Sequence, residues 1–220
     1  MSSPPKVEVL TSKFLLSWPR WRPGELEVLP QVCFAGRSNV GKSSLLNCLV
    51  NRRDLARTSN TPGRTQALNI FEVQLRRGEE RRRVHFVDLP GYGYAKAPAS
   101  VREAWQPMVA GYVQDNPDLD AAFALFDIRR IPSDQDLDVI EMFSENEVPT
   151  LPVVTKSDKI PKTKRAKSLR PIADAIGVKP GDLWPVSAQT KEGRDALLDI
   201  LWEVTTPLKT SEDGEILEAP

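Results

Sequence analysis

The sequence predicts an α/β fold of three layers, with helices on both faces of a six-stranded, mostly parallel sheet that has one antiparallel edge strand. From residue 99 onward, segments with the apolar spacing of helices alternate with short apolar runs of strand length, and this alternation is typical of parallel sheets. A hairpin pattern at 67–87 precedes that region and would supply the antiparallel strand. A glycine-containing loop at 36–43 joins an apolar run to an amphipathic one, as in a strand, a loop and a helix.

The individual elements follow from apolar spacing and turn residues. The sequence predicts strands at 31–35, 67–75, 83–87, 121–126, 150–154 and 183–186, and helices at 43–51, 99–115, 133–146, 162–176 and 191–204. Residues 1–30 contain five prolines, and we expect an irregular N-terminal arm that Trp18 and Trp21 dock on the domain. Residues 31–206 form the single domain, and the acidic segment 207–220 is expected to be disordered.

The composition sets limits on partners and location. Thirty basic and thirty acidic residues cancel, so the chain as a whole exerts no net attraction on nucleic acid or a membrane. The absence of a secretory signal and of a long apolar run favours a cytoplasmic protein without a membrane partner, and we expect a monomer. Cys33 and Cys48 fall in a predicted strand and a predicted helix, as expected of buried thiols in a reducing compartment.

The loop at 36–43 has the pattern GxxxxGKS. In this pattern the glycines let backbone N–H groups surround a phosphate, and the N-terminus of the following helix adds partial positive charge. Lys42 is placed to reach the terminal phosphates, and Ser43 to bind Mg²⁺. The predicted phosphate-binding residues are Gly36, Arg37, Ser38, Asn39, Val40, Gly41, Lys42, Ser43 and Ser44.

A second phosphate-side motif, Asp-Leu-Pro-Gly at 88–91, comes directly after a predicted strand. The carboxylate of Asp88 can hold Mg²⁺ through a water molecule, and the N–H of Gly91 can bind the γ-phosphate. Alone, the tetrapeptide is also a common turn, but its place one hairpin after the phosphate loop favours the nucleotide interpretation. A threonine between the first helix and the hairpin would complete the Mg²⁺ site, and Thr61 and Thr65 are both candidates.

The segment Thr-Lys-Ser-Asp at 155–158 follows a buried strand and is a candidate base-reading element. The carboxylate of Asp158 can accept hydrogen bonds from both N1–H and the exocyclic amine of guanine, whereas adenine has an acceptor at N1. A helix cap is the alternative interpretation of this tetrapeptide. After Val186, Ser187 and Ala188 would place a backbone N–H near guanine O6. The order of these elements along the chain favours GTP over ATP.

Taken in this order, the motifs resemble those of Ras-like GTPases of the translation-factor class and, more narrowly, of the EngB family of ribosome-assembly GTPases. The motifs that carry the resemblance, over about residues 33–202, are Gly36-Arg37-Ser38-Asn39-Val40-Gly41-Lys42-Ser43-Ser44-Leu45-Leu46-Asn47, Thr61-Pro62-Gly63-Arg64-Thr65-Gln66, Asp88-Leu89-Pro90-Gly91-Tyr92-Gly93-Tyr94-Ala95, Asp127-Ile128-Arg129-Arg130 and Thr155-Lys156-Ser157-Asp158. The resemblance implies a Ras-like fold that binds GTP or GDP with Mg²⁺. It implies that a precursor of the large ribosomal subunit, with its RNA and proteins, is the partner. It also implies that Thr65 is the switch threonine and Mg²⁺ ligand, with Gly63 and Arg64 beside the nucleotide.

The sequence also bears on how GTP is hydrolysed. Ras-type enzymes orient the attacking water with a glutamine directly after the Asp-x-x-Gly motif, and this chain has Tyr92 there. No arginine finger can be identified, so we expect slow intrinsic turnover, with Lys42, Thr65 and Gly91 as the catalytic groups. By resemblance to related GTPases, Asn39 is a candidate ligand for K⁺. The alternative for Asn39 is a loop residue with unusual backbone dihedral angles.

Two basic clusters stand out against the neutral total, and each is compatible with a solvated surface or with ribosomal RNA phosphates. The hairpin cluster is Arg76, Arg77, Arg81, Arg82 and Arg83, and the lysine-rich cluster is Lys159, Lys162, Lys164, Arg165, Lys167 and Arg170. The sole histidine, His85, lies in a strand pattern and is expected in the core rather than at a catalytic site.

Two other function classes remain open. The first is a P-loop kinase, which Asp158 disfavours because it indicates guanine recognition. The second is a regulatory GTPase that binds a protein effector.

Overall fold

The computed structural model of the protein describes residues 4–56, 67–93 and 99–205, and for 99–104 the backbone alone. The strands are β1 (Val7–Trp18), β2 (Gln31–Gly36), β3 (Leu68–Arg77), β4 (Glu80–Asp88), β5 (Leu119–Asp127), β6 (Thr150–Thr155) and β7 (Trp184–Pro185), and the helices are α1 (Lys42–Leu49), α2 (Ala99–Gln114), α3 (Asp134–Glu145), α4 (Lys162–Ile176) and α5 (Arg194–Val204). Apart from β1, each of these matches a predicted element to within about three residues at either end.

The seven strands form one sheet in the order β1-β3-β4-β2-β5-β6-β7. The strands from β4 to β7 in this order run parallel, whereas β3 runs antiparallel to both of its neighbours. The predicted α/β class, with a mostly parallel sheet, is therefore confirmed. The predicted count of six strands is wrong, as is the position of the antiparallel strand, because β1 extends the sheet beyond β3 and takes the edge.

The expectation of an irregular N-terminal arm is wrong for the residues of β1. This strand pairs with β3 along its whole length, from Val7 opposite Arg77 to Trp18 opposite Leu68, with two register shifts between. The prolines flank the strand and do not interrupt it, which leaves its backbone N–H groups free for pairing. Docking by the tryptophans is confirmed, since Trp21 contacts Trp18 edge-on and also contacts the ring of Tyr112 in α2.

The core lies on both faces of the sheet, and β2 shows why. All six of its residues are buried. Its side chains alternate between a cluster with α1 and α5 on one face and a cluster with α2 and α3 on the other. Phe34 packs against the rings of Phe86 and Phe123, and its truncation to Ala would cost about 3–5 kcal/mol. This rigid central strand fixes the phosphate loop that follows it.

The remaining core predictions agree with the structure. His85 in β4 is only 1% exposed, and burial lowers its pKa. Cys33 and Cys48 are both buried free thiols, and burial raises the pKa of each. None of the helices in the described ranges combines the length and the apolar character needed to cross a bilayer. The segment 207–220 lies outside the described residues.

Candidate nucleotide-binding site

The loops after β2, β4, β6 and β7 meet beyond the carboxyl ends of the parallel strands, where open α/β sheets bind ligands. The phosphate loop contacts the loop after β4, because the N–H of Ser38 donates to the carbonyl of Tyr92 (2.9 Å). It also contacts the end of β6, where the Thr155 hydroxyl donates to the carbonyl of Val40 (2.7 Å). The loops after β6 and β7 are joined by a hydrogen bond from the Ser157 N–H to the Val186 carbonyl (3.0 Å). These predicted elements therefore form one continuous site.

The phosphate loop has a backbone shape that requires its residue types. A Cβ on Gly36 would lie 2.9 Å from both the Leu125 carbonyl and the Val40 side chain. Asn39 and Gly41 both have positive φ angles, 64° and 115°, which turn successive N–H groups inward. The helix α1 then starts without a side-chain cap. Its first N–H groups are therefore available to an anion.

Lys42 and Asp88 are two buried charged residues at the phosphate end. The ammonium of Lys42, only 9% exposed, donates to the Gly36 carbonyl (3.2 Å), and burial lowers its pKa although Asp88 opposes that effect. Asp88 is 3% exposed, and its Oδ1 has no hydrogen-bond partner among the described residues. Burial raises the pKa of Asp88 to about 6, with Lys42 acting in the other direction. A buried carboxylate oxygen without a protein partner is available to a ligand.

On the base side, the Asp158 carboxylate has partners within the protein, whereas the buried hydroxyl of Ser157 has none among the described residues. The carboxylate of Asp158 accepts a hydrogen bond from the Ser187 hydroxyl (2.7 Å) and pairs with Lys159 (3.1 Å). Burial alone would raise the pKa of Asp158, but the bonds from Ser187 and Lys159 hold it below its ordinary value. The ammonium of Lys156 bridges the carbonyl of Asn39 (2.6 Å) and the carboxylate of Asp127 (2.9 Å).

These loops border a cleft of about 670 Å³, within the size range of small-molecule sites. Its lining includes Gly41, Ser44, Lys156, Asp158 and Ala188. The cleft therefore unites predicted phosphate-side and base-side residues. Gly63, Arg64 and Thr65, and the rejected alternative Thr61, lie outside the described residues, so their roles stay predictions.

Sequence reasoning missed two parts of this site. Asp127 was named from sequence only as part of the motif Asp127-Ile128-Arg129-Arg130, yet its carboxylate binds Lys156 of the base-side loop and, through two bonds, Arg129. Although burial would raise the pKa of Asp127, these two cations hold it well below its usual range. The second is the contact of Tyr92 with Asp136 (2.8 Å). For the contact of Tyr92 with Asp136, the sequence offers only the capping pattern Ser133-x-x-Asp136. That pattern predicts the start of a helix and does not identify residue 92 as a partner.

Comparison with known proteins places this fold and site in a class. Residues 31–156 match the model of a family described as "50S ribosome-binding GTPase". That range spans the phosphate loop, the Asp88 loop and the start of the base-side loop. The fold and the site therefore define a P-loop GTPase, which binds GTP and GDP and hydrolyses GTP.

Relatives narrow the assignment. A "Probable GTP-binding protein EngB" of Syntrophotalea carbinolica is 44% identical over 219 residues, which cover 97% of this chain and 99% of the relative. A protein of the same description from Citrifermentans bemidjiense is 45% identical over 169 residues, 77% of this chain and 76% of the relative. The chain belongs to the EngB family of GTP-binding proteins.

Solved structures support the fold. A crystal structure of a "probable GTP-binding protein engB" has a TM-score of 0.61 at 24% identity, covering 80% of this chain and 98% of that one. Era in complex with MgGDPNP and a fragment of 16S ribosomal RNA has a TM-score of 0.64 at 21% identity, covering 89% of this chain and 63% of that one. The predicted Ras-like GTPase fold is therefore confirmed.

Proposed function

We propose that this GTPase is a molecular switch in the assembly of the large ribosomal subunit, which binds a precursor particle in the cytoplasm as the GTP complex and leaves it after hydrolysis. The description of the matched family supports the partner. The observation that carries the switch is the close packing of Gly91 on the phosphate loop, since a Cβ on Gly91 would lie 3.0 Å from the Ser38 backbone. A γ-phosphate in the loop would then lie within reach of the Gly91 N–H, and its loss on hydrolysis would release the loop that contains Gly91.

The phosphate end of the site fits a bound Mg²⁺. The unpartnered Oδ1 of Asp88 is a hard oxygen ligand that could act through water. Ser43 at the start of α1 would supply a hydroxyl, and Thr65 a second one. The ion would neutralise charge that develops on the β- and γ-phosphates.

Slow intrinsic hydrolysis is supported by the placement of Tyr92. Its side chain is 8% exposed, and its hydroxyl is bonded to Asp136, so it does not serve as the group that orients the water.

K⁺ is proposed to assist hydrolysis at Asn39, which is exposed at the rim of the phosphate loop. Hydrolysis in K⁺ should be faster than in Na⁺ at equal ionic strength for the wild type, and this difference should disappear in Asn39→Ala. Equal rates for the wild type in the two salts would remove K⁺ from the proposal.

The two basic clusters have different surroundings. In the hairpin cluster, four arginines pair with carboxylates of other segments or of the hairpin itself. These pairs are Arg76 with Glu8, Arg77 with Glu203, Arg82 with Glu80, and Arg83 with Glu27 and Glu72. In the lysine-rich cluster, Lys159 pairs with Asp158, Lys162 and Arg165 with Glu192, and Arg170 with Asp174. Lys164 and Lys167, by contrast, are exposed along α4 and form no ion pair among the described residues. We therefore assign contact with ribosomal RNA phosphates to the lysine-rich cluster.

Sedimentation with ribosomal particles tests the proposal. The wild type should migrate with large-subunit particles in the presence of a non-hydrolysable GTP analogue and not with GDP. Lys164→Glu should weaken this binding by about tenfold or less at low salt, through lost phosphate contact. Arg81→Glu, an equal charge change at an exposed hairpin residue, is the control and should have little effect.

Two outcomes contradict the proposal. Equal migration with GDP and with the GTP analogue would rule out the switch. If the protein binds guanine nucleotide but migrates with no ribosomal particle, the partner is wrong and the protein-effector alternative takes its place.

A further inference from the structure

Tyr92 occupies a position from which a side chain usually faces the nucleotide, but here it turns into the core. Its ring packs in the cluster between the sheet, α2 and α3, and it contacts the ring of Trp105 edge-on with centroids 5.2 Å apart. Trp105 in turn donates its indole N–H to the carbonyl of Pro90 (2.7 Å). The loop that contains Gly91 is therefore held from the α2 side by both a ring contact and a hydrogen bond.

The Tyr92 hydroxyl connects the same loop to α3. It donates to Oδ1 of Asp136 (2.8 Å), whose Oδ2 accepts from the backbone N–H (2.8 Å) and the hydroxyl (2.7 Å) of Ser133 in the capping box of α3. Because Asp136 is 4% exposed and its other oxygen is committed to the cap, its position is fixed by the helix. The buried hydroxyl of Tyr92 consequently has a rigid acceptor.

The connection continues to the phosphate loop. The guanidinium of Arg37 donates to the Ser133 hydroxyl (3.2 Å). The backbone of Arg37 also forms an isolated parallel β-bridge with the backbone of Tyr92. The backbone of Tyr92 accepts from the N–H of Ser38. Residue 92 is thus bonded through its backbone to the phosphate loop and through its side chain to α3, and Gly91 lies directly before it.

We infer that the hydrogen bond from Tyr92 to Asp136 positions the N–H of Gly91 for the γ-phosphate, and so sets how strongly the protein prefers GTP to GDP. Tyr92 is a positioning residue here and takes no part in orienting water. The inference rests on the proposed contact of Gly91 with the γ-phosphate. GDP lacks the γ-phosphate, so its affinity should not depend on this bond. A selective loss of GTP affinity is therefore the signature that distinguishes positioning from general stability.

The test compares Tyr92→Phe with Tyr112→Phe. Tyr112 is a matched control because it is a fully buried tyrosine of the same cluster, and its hydroxyl donates to Gln31 (3.2 Å) away from the nucleotide loops. Both variants keep the ring and lose one buried hydrogen bond. Dissociation constants for GDP and for a non-hydrolysable GTP analogue should be measured for both variants and the wild type, together with thermal unfolding and the single-turnover rate at saturating GTP.

Tyr92→Phe should weaken binding of the GTP analogue by about three- to tenfold, the effect of one buried hydrogen bond, and change GDP affinity by less than about twofold. Tyr112→Phe should lower stability and leave the ratio of the two affinities unchanged. The single-turnover rate of Tyr92→Phe should stay within about threefold of the wild type. An unchanged affinity ratio in Tyr92→Phe, or an equal change in Tyr112→Phe, overturns the inference, as does a collapse of the rate with unaltered affinities. If the wild type itself shows no dependence on the γ-phosphate, the proposed switch fails instead.

Discussion

The two carboxylates of the site, Asp158 on the base side and Asp88 on the phosphate side, differ in how far the protein satisfies them. On the base side, the Asp158 carboxylate already has partners in Ser187 and Lys159. On the phosphate side, Asp88 leaves a buried oxygen without a partner among the described residues, and α1 begins without a side-chain cap. The Asp158 carboxylate is therefore preorganised, whereas the free oxygen of Asp88 and the uncapped start of α1 are available to a nucleotide and its ion. From this difference we propose that selectivity for guanine and response to the γ-phosphate are built from separate parts of the molecule.

The largest expected effect on nucleotide affinity comes from replacing the preorganised carboxylate of Asp158. Asp158→Asn removes the carboxylate that we propose accepts two hydrogen bonds from guanine and puts an amide donor in its place. Affinity for GDP should fall by about a hundredfold or more, since charged hydrogen bonds are lost in a desolvated site. Xanthosine diphosphate, which presents a carbonyl where guanine has its amine, should gain affinity. Competition binding measures both, and a D158N variant that still prefers GDP would exclude Asp158 from base reading.

On the phosphate side, Asp88→Asn should stabilise the protein without nucleotide while it weakens binding of Mg²⁺ with GTP. The folded-state pKa of about 6 lies above the ordinary 3.8, so the buried carboxyl favours its protonated form. Its ionisation therefore costs stability as the pH rises from about 4 to about 6, and this cost is complete above that range. The advantage of Asp88→Asn over the wild type should grow by about 2 kcal/mol between pH 4 and pH 7.5.

Urea unfolding of the two proteins with a chelator present measures this difference at each pH. If the difference in free energy of unfolding between the two proteins does not vary with pH, burial does not raise the pKa of Asp88. The same titration on Asp158→Asn is the control, because the pKa of Asp158 is lowered, and its ionised form stabilises the fold.

A smaller effect should follow from loosening the base side without removing its carboxylate. Ser187→Ala deletes the hydroxyl that holds Asp158, and GTP and GDP affinities should both fall by about three- to tenfold, in equal proportion. The equality is the informative part, since the base is common to both nucleotides. If Ser187→Ala affected GTP alone, the separation of the two sides would be wrong.

The parts of the site that were predictable from sequence are those that one short segment determines. The phosphate loop needs glycine where backbone closely approaches Leu125, and its lysine and strand–helix context are visible in sequence. Asp158 could be proposed as a base-reading residue from its chemistry and its place after a strand, and that role stays a prediction. β1 was missed because its apolar pattern alternates weakly, and the flanking prolines dominated the interpretation.

Contacts between residues far apart in the chain could not be predicted from the sequence. The bond of Tyr92 to Asp136 joins residues 44 positions apart, and the alternation pattern carries no information on such a side-chain partner. The hairpin arginines were visible as charge, but their partners Glu8, Glu27 and Glu203 lie far away in sequence. The run of arginines therefore predicted a basic surface, and only the folded structure shows that carboxylates from distant segments neutralise it.

Hydrogen exchange of the two loop regions tests the separation of the two sides most directly. Amides of residues 88–93 and 155–158 should be followed in the protein alone, with GDP, and with a non-hydrolysable GTP analogue. We expect protection at 155–158 to rise equally with either nucleotide, and protection at 88–93 to rise further with the GTP analogue. Equal protection of residues 88–93 in the two complexes, or a rise at 155–158 only with the GTP analogue, would contradict the account.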